Sequence, residues 1–121
     1  MGWFSQRTGQ HKERQAARWL KQQGVHIITR NYRCKGGEID LIGQTQDKIL
    51  VFFEVKHRQT SDQGHPAEAL TPQKQQRLLH AAQRFVQQHP KYQCDPMRFD
   101  LLTFLGEQTT PDWWPAAFGG W

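Results

Sequence analysis

Charged side chains stand inside two apolar runs of this chain. The first run is Gly36-Gly37-Glu38-Ile39-Asp40-Leu41-Ile42. The second is Ile49-Leu50-Val51-Phe52-Phe53-Glu54-Val55-Lys56-His57-Arg58. A buried charge is costly unless it is paired or bound to a metal, so Glu38, Asp40, Glu54 and Lys56 need a reason to be there. Asp40 and Glu54 are the sharpest pair. On adjacent strands, cross-strand neighbours lie about 5 Å apart. Two carboxylates at that spacing suit Mg²⁺ or Mn²⁺, and Mg²⁺ keeps several waters and takes phosphate oxygens as well. The Val55 carbonyl is a further candidate ligand. Lys56 lies two residues beyond Glu54 and shares its face. Its amine can stabilise charge on phosphorus or help to deprotonate a water. Carboxylates with a lysine are chemically sufficient for metal-assisted phosphodiester hydrolysis. An interior salt bridge of Asp40 or Glu54 with Lys56 explains the same letters, and periodicity does not separate the two readings.

The elements must bring these residues together. Val, Ile and Phe dominate both runs, so both are predicted strands, and the short polar break from Gly43 to Lys48 suits an antiparallel hairpin. Before them, residues 8–23 are predicted helical, with Thr8 as N-cap, Ala16, Ala17, Trp19 and Leu20 as the apolar side, and Gly24 as the stop. Glu13 is the only acid of this helix, and its spacing to Ala16 and Ala17 places it on the inward side or its border. An exposed Glu13 paired with Arg18 is the competing reading. Val25 to Arg33 is a predicted strand, followed by a turn over Cys34 to Gly37. Gln59 to Pro66 is a predicted loop. Thr71 and Pro72 form an N-cap and first helical residue, opening a helix to about Gln88. Met97 to Leu105 is a fourth strand, interrupted by Asp100. The expected architecture is α/β, a single mixed sheet flanked by helices in the order α-β-β-β-α-β. It forms one domain over residues 1–121, with residues 107–121 an aromatic-rich tail. That tail is expected to pack on the domain or on a second subunit, with stacking on nucleobases as the alternative.

Charge gives the partner class. Residues 1–35 hold eight Lys/Arg and one acid, a net of +7, and residues 36–121 hold eight Lys/Arg and ten acids, a net of −2. A basic first third suggests a polyanion such as DNA, with RNA as an open alternative, and a solvated helix face is the bland explanation. Two isolated cysteines, Cys34 and Cys94, and no long apolar segment near the start fit a reduced, cytoplasmic protein. No apolar run reaches the ~20 residues of a membrane helix. The histidines lack zinc spacing and there is no Gly-rich phosphate loop.

Asp40 followed by Glu54-Val55-Lys56 resembles the signature of the PD-(D/E)XK nuclease superfamily, with a restriction-endonuclease-like core. More closely, the chain resembles the YraN family of small bacterial proteins, which look like Holliday junction resolvases. Glu13 with Ala16-Ala17 and Trp19-Leu20, Arg30-Asn31-Tyr32-Arg33, Gly37-Glu38-Ile39-Asp40-Leu41-Ile42, Phe53-Glu54-Val55-Lys56, Arg58, Pro66-Ala67-Glu68-Ala69, Thr71 with Lys74, and Arg98-Phe99-Asp100 carry that resemblance. It implies metal-dependent cleavage of DNA, branched DNA in particular, with Asp40 and Glu54 as metal ligands, Lys56 as the catalytic lysine and Glu13 joining the metal site. Glu38 is an accessory acid without a fixed role. Arg14, Arg18, Arg33, Lys35, Arg58 and Lys74 are candidate phosphate contacts. A homodimer is expected by the same resemblance. Ile39 stands where the superfamily's name has proline. A nucleic-acid-binding module that keeps the fold without cutting is the alternative.

Overall fold

A computed structural model describes residues 2–59, 64, 65, 68 and 70–119, without the side chains of residues 2–10. Most of the Gln59 to Pro66 loop, most of the Pro66-Ala67-Glu68-Ala69 motif and Trp121 lie outside the described residues.

The chain order is α1 (Gly2–Gln22), β1 (His26–Cys34), β2 (Gly37–Gln44), β3 (Leu50–Arg58), α2 (Pro72–Gln88), a 3-10 turn (Pro90–Tyr92), β4 (Met97–Leu105) and β5 (Asp112–Phe118). The fold is α/β, a mixed sheet with helices, as the apolar periodicity predicts. Two boundaries differ. Helix α1 begins at Gly2, so Thr8 lies within the helix and is not its N-cap. The tail supplies a fifth strand, so residues 112–118 belong to the sheet.

Spatial order follows chain order, β1-β2-β3-β4-β5. The short connections make β1–β2 and β2–β3 antiparallel, whereas the α2 crossover makes β3–β4 parallel, and β5 returns antiparallel to β4. Successive residues of the buried strands point to opposite faces, so the sheet has an apolar layer on each side. On one side Leu78, Ala81, Ala82 and Phe85 of α2 pack on Ile42, Leu50, Phe52, Phe99 and Leu101. On the other, Ala16, Ala17 and Leu20 of α1 pack on Leu41, Val51, Phe53, Leu102 and Phe104. Each such large side chain stabilises the fold by roughly 1.5–3 kcal/mol relative to exposure.

Local chemistry sets where α2 lands. The Thr71 side chain accepts a hydrogen bond from the Lys74 N–H, and Pro72 opens the helix with no donor to lose. Gly36 turns the chain at φ +92°. At Gly37 a Cβ would overlap the Arg77 carbonyl oxygen, so glycine lets α2 lie directly against the start of β2. The first turn of α2 thereby stands over the carboxylate-bearing end of β2 and β3.

Candidate active site

The β2–β3 ladder runs from the Gln44–Leu50 pair to the Leu41–Phe53 pair and stops. The next register step would set Asp40 opposite Glu54. There the Asp40 side chain takes over from the backbone, its Oδ2 accepting a hydrogen bond of 2.8 Å from the Val55 N–H. The sheet opens at this point. Ile39 packs in the α2 layer and Leu41 in the α1 layer, so the two-residue alternation expected to align Glu38 with Asp40 is interrupted. Glu38 is exposed and pairs with Arg33 of β1 at 3.6 Å. Asp40 is half-buried.

Glu54 is buried on the α2 side, where the Lys74 Nζ lies 2.9 Å from its Oε1. That contact ties the first turn of α2 to β3. Lys56 is half-buried on the same strand. Burial, then the neighbouring Lys74, hold its amine below the usual lysine range, against the pull of Glu54 and Asp40. Burial would also lower Lys74, but the charge and hydrogen bond of Glu54 outweigh it and its amine is raised.

Glu13 comes in from α1 and is only 8% exposed, which overturns the exposed reading of this residue. Its pKa is raised from 4.5 to about 7, by burial first and then by Glu54 and Glu38, with Arg33 and Arg30 opposing. Asp40 is raised well above the ordinary carboxylate range by burial and by Glu54, with smaller contributions from Glu13 and Glu38. The Val55 N–H pulls the other way. The charge of Glu54 acts on both Glu13 and Asp40, and that of Glu13 on Asp40, so the three acids share one electrostatic neighbourhood.

Among the described residues no three His, Cys, Asp or Glu side chains stand close enough to enclose a metal ion. The donor set therefore does not make a closed protein cage. It fits a hard cation held through one or two carboxylates that keeps its waters. Asp40 has its Oδ2 engaged by the Val55 N–H. Glu54 has one oxygen engaged by Lys74. Val55 contributes its N–H to the site through Asp40.

Two further residues complete the surroundings, and sequence reasoning gave neither its observed role. Lys74, read as a phosphate contact, is ion-paired with Glu54. Asn31, read only as part of a motif, turns its amide to Glu13, the nitrogen 2.6 and 3.1 Å from the two carboxylate oxygens once the amide is oriented to donate. The preference of Asn for positive φ was the one signal in the sequence for it.

The expected phosphate contacts divide by place. Arg14 and Arg18 of α1, with Lys21 and Arg30, line a groove of about 430 Å³ between α1 and β1. Arg14 and Arg30 continue into an adjoining cavity of about 410 Å³ that also holds Glu13 and Asn31. Arg33 and Lys35 border a second basic hollow of about 700 Å³ with His80 and Arg84 of α2. Arg58 lies at the end of β3, where its guanidinium donates to the Gly64 carbonyl at 3.1 Å. Glu38 and Glu54, with Lys74 and Arg77 of α2, line a cleft of about 690 Å³, whereas Glu13 faces the cavity shared with Asn31. His57 is engaged by the Gly106 carbonyl at 2.8 Å.

Residues 12–104 match the family model described as "Uncharacterised protein family UPF0102", the family anticipated by the YraN resemblance. A UPF0102 protein of Aeromonas hydrophila is 44% identical over 111 residues, 91% of this chain and 83% of its own. One from Klebsiella pneumoniae is 42% identical over 119 residues, 98% of this chain and 91% of its own. One from Coxiella burnetii is 43% identical over 105 residues, 87% of each.

Proposed function

The chain belongs to the UPF0102 family, and we propose that it is a Mg²⁺- or Mn²⁺-dependent nuclease that hydrolyses phosphodiester bonds of DNA. The observation that carries this reading is the meeting of Asp40, Glu54 and Lys56 where the β2–β3 ladder ends, with Glu13 brought to the same charge neighbourhood by α1. Burial first, and neighbouring carboxylate charge second, raise Glu13 and Asp40, which marks a place where a cation lowers the free energy. Bound there, the cation would supply Lewis-acid stabilisation of charge on the phosphoryl oxygens. The chain's own residues do the rest. Lys56, its amine held below the usual range, can take or give a proton at Nζ near the attacked phosphorus. Glu13, with a pKa of about 7, can hold or release a proton at its carboxylate near neutral pH. The arginines of α1 and β1 bind and orient the phosphate backbone.

A second reading has one observation in its favour. The Lys74 ammonium already satisfies one Glu54 oxygen. A chain in which that pair persists on substrate would bind nucleic acid without cutting it.

One experiment separates the two readings. The protein is incubated with Mg²⁺ or Mn²⁺ and labelled duplex, single-stranded and four-way junction DNA, with RNA counterparts. Cleavage is expected in the wild type, reduced at least about a hundredfold in Asp40→Ala. Equal cleavage by the two proteins would sink the assignment. Salt-dependent binding without cleavage of any substrate would establish the binding module instead.

A further inference from the structure

Asn31 sits outside the carboxylate and lysine set, yet the geometry points to it as a positioning residue that holds the Glu13 carboxylate at the edge of the Asp40–Glu54 site. The inference rests on the nuclease reading above, because it takes Glu13 as part of the reacting machinery.

Four observations converge on Asn31. Arg30 is paired with Leu41 and Tyr32 with Ile39, so the position of Asn31 in β1 lies opposite Asp40. Asn31 holds φ +54° in the middle of an extended strand. Glycine adopts that conformation freely, and of the other residues Asn and Asp tolerate it best. Of these, only Asn carries a hydrogen-bond donor. Oriented to donate, its amide nitrogen stands 2.6 and 3.1 Å from the two oxygens of Glu13, and the opposite orientation would set oxygen against the oxygens of the ionised carboxylate. Finally, Asn31 and Glu13 line one open cavity with Arg14 and Arg30, so the held carboxylate borders space that a phosphate backbone can enter.

A purely structural role explains this arrangement poorly. Glu13 lies in the interior of α1, where its backbone groups need no cap. An apolar residue at that nearly buried position would avoid both the desolvation of the acid and the unusual backbone at residue 31. Arg30 and Arg33 attract Glu13 as well, but a flexible guanidinium does not fix the plane of a carboxylate as a short amide on a fixed backbone does. Asn31 aims Glu13; it does not itself meet the reacting phosphorus.

Glycine provides a clean deletion, because Asn31→Gly keeps the positive φ and removes only the amide. Asn31→Asp keeps the shape and sets an anion against Glu13. In steady-state cleavage with Mn²⁺, Asn31→Gly is expected to lower kcat about 10- to 100-fold with KM little changed, and Asn31→Asp to lower it further. In a Glu13→Ala background Asn31→Gly should have no additional effect, the non-additivity expected of two residues acting as one unit. A wild-type kcat in Asn31→Gly, or an equal loss in both backgrounds, would overturn the inference. The wild type, Asn31→Gly, Glu13→Ala and the double variant are also compared by thermal unfolding in EDTA, without substrate. A melting-temperature change for the double variant that differs from the sum of the single changes supports the Asn31–Glu13 contact, and additive changes overturn it. If the wild type cuts nothing, the nuclease reading fails on the cleavage data, while the unfolding cycle still decides whether Asn31 holds Glu13.

Discussion

At the scale of single residues the site is a balance between acids that repel and the few groups that relieve them. Glu13 gives the most direct consequence. Burial, followed by Glu54 and Glu38, raises its pKa to about 7 in the folded chain, from an ordinary 4.5. The folded state thus holds this proton more tightly than the unfolded state. Stability from this group is complete below about pH 4.5 and is lost as the pH rises through about 7. Asp40 is raised too and acts in the same direction. In EDTA, the unfolding free energy of the wild type relative to Glu13→Gln, from urea titration, should fall as the pH rises between those two values, by on the order of 2 kcal/mol after allowance for solvent. A wild-type-minus-variant difference that stays flat across the window would show that Glu13 is not held in a poor environment for its charge. Asp40, Glu54 and Lys56 were legible in the sequence because charges inside apolar runs stand out and strand periodicity links Glu54 to Lys56. Glu13 stood out as the only acid on a basic helix, but its spacing left inward and exposed positions open, and the family resemblance alone implied its place beside Asp40 and Glu54. The Lys74–Glu54 pair was not, since it depends on how α2 docks over β3, which no local pattern encodes. Asn31 was hidden for a related reason: its backbone conformation is a tertiary outcome inside a segment that reads as ordinary strand.

Among the elements, β5 departs most from the sequence reading, and its attachment has a specific cause. The tail carries Pro111 and Pro115, which argue against an interior strand. At the sheet edge a proline is tolerated, since one side of the strand has no partner to receive its missing N–H, and it also discourages pairing with another chain. What fastens β5 is Asp100 of β4. Its carboxylate accepts from the Arg98 guanidinium twice at 2.8 Å, from the Trp113 indole at 2.7 Å and from the Ala116 N–H at 2.9 Å. The Trp114 indole donates to the Thr103 hydroxyl at 2.9 Å, and Phe118 stacks on Phe99 with ring centroids 4.5 Å apart. Asp100, which interrupts the apolar run of β4 in the sequence, is a structural clasp. It is 2% exposed, so Asp100→Ala would leave a guanidinium and two N–H groups without their acceptor. Such a change is expected to cost about 3–5 kcal/mol, read as a lower urea midpoint. A chain ending at Gly106 should likewise unfold at lower urea, because it uncovers Phe99, Leu101 and Leu102 of β4. A truncated chain as stable as the full one would show that β5 adds nothing to the sheet. The helices and β1 to β4 were legible because each has its own period and turn signals. β5 has neither, and its partners lie a strand away.

Across the whole molecule, a linear asymmetry of charge becomes a spatial one. The basic first third folds into α1 and the edge strand β1, so Arg14, Arg18, Lys21, Arg30, Arg33 and Lys35 gather along one margin of the sheet. Arg84 of α2 joins them in the hollow beside Lys35. The opposite margin carries Asp112 on β5, with Glu107 in the turn before it. The margin also adjoins the acids, since Arg14 and Arg30 share a cavity with Glu13, and Arg33 pairs with Glu38. Were a nucleic acid to bind this edge, its phosphate backbone would lie beside the carboxylates, with Arg14, Arg30 and Arg33 next to them. No helix of the described residues is long and apolar enough to cross a membrane, so a bilayer-spanning helix does not explain the basic margin. Such binding should weaken with salt. Each phosphate contact removed lowers the slope of log K against log salt by about 0.9 on duplex DNA. Neutralising Lys21, Arg30 and Arg84 one at a time to Gln should each flatten that slope by about one contact, measured in EDTA to keep binding apart from cleavage. Lys48→Gln, in the β2–β3 turn outside the basic hollows, should leave it unchanged. Equal slopes in all four variants and the wild type would remove the β1 edge as the nucleic-acid surface and return the charge asymmetry to a solvated face.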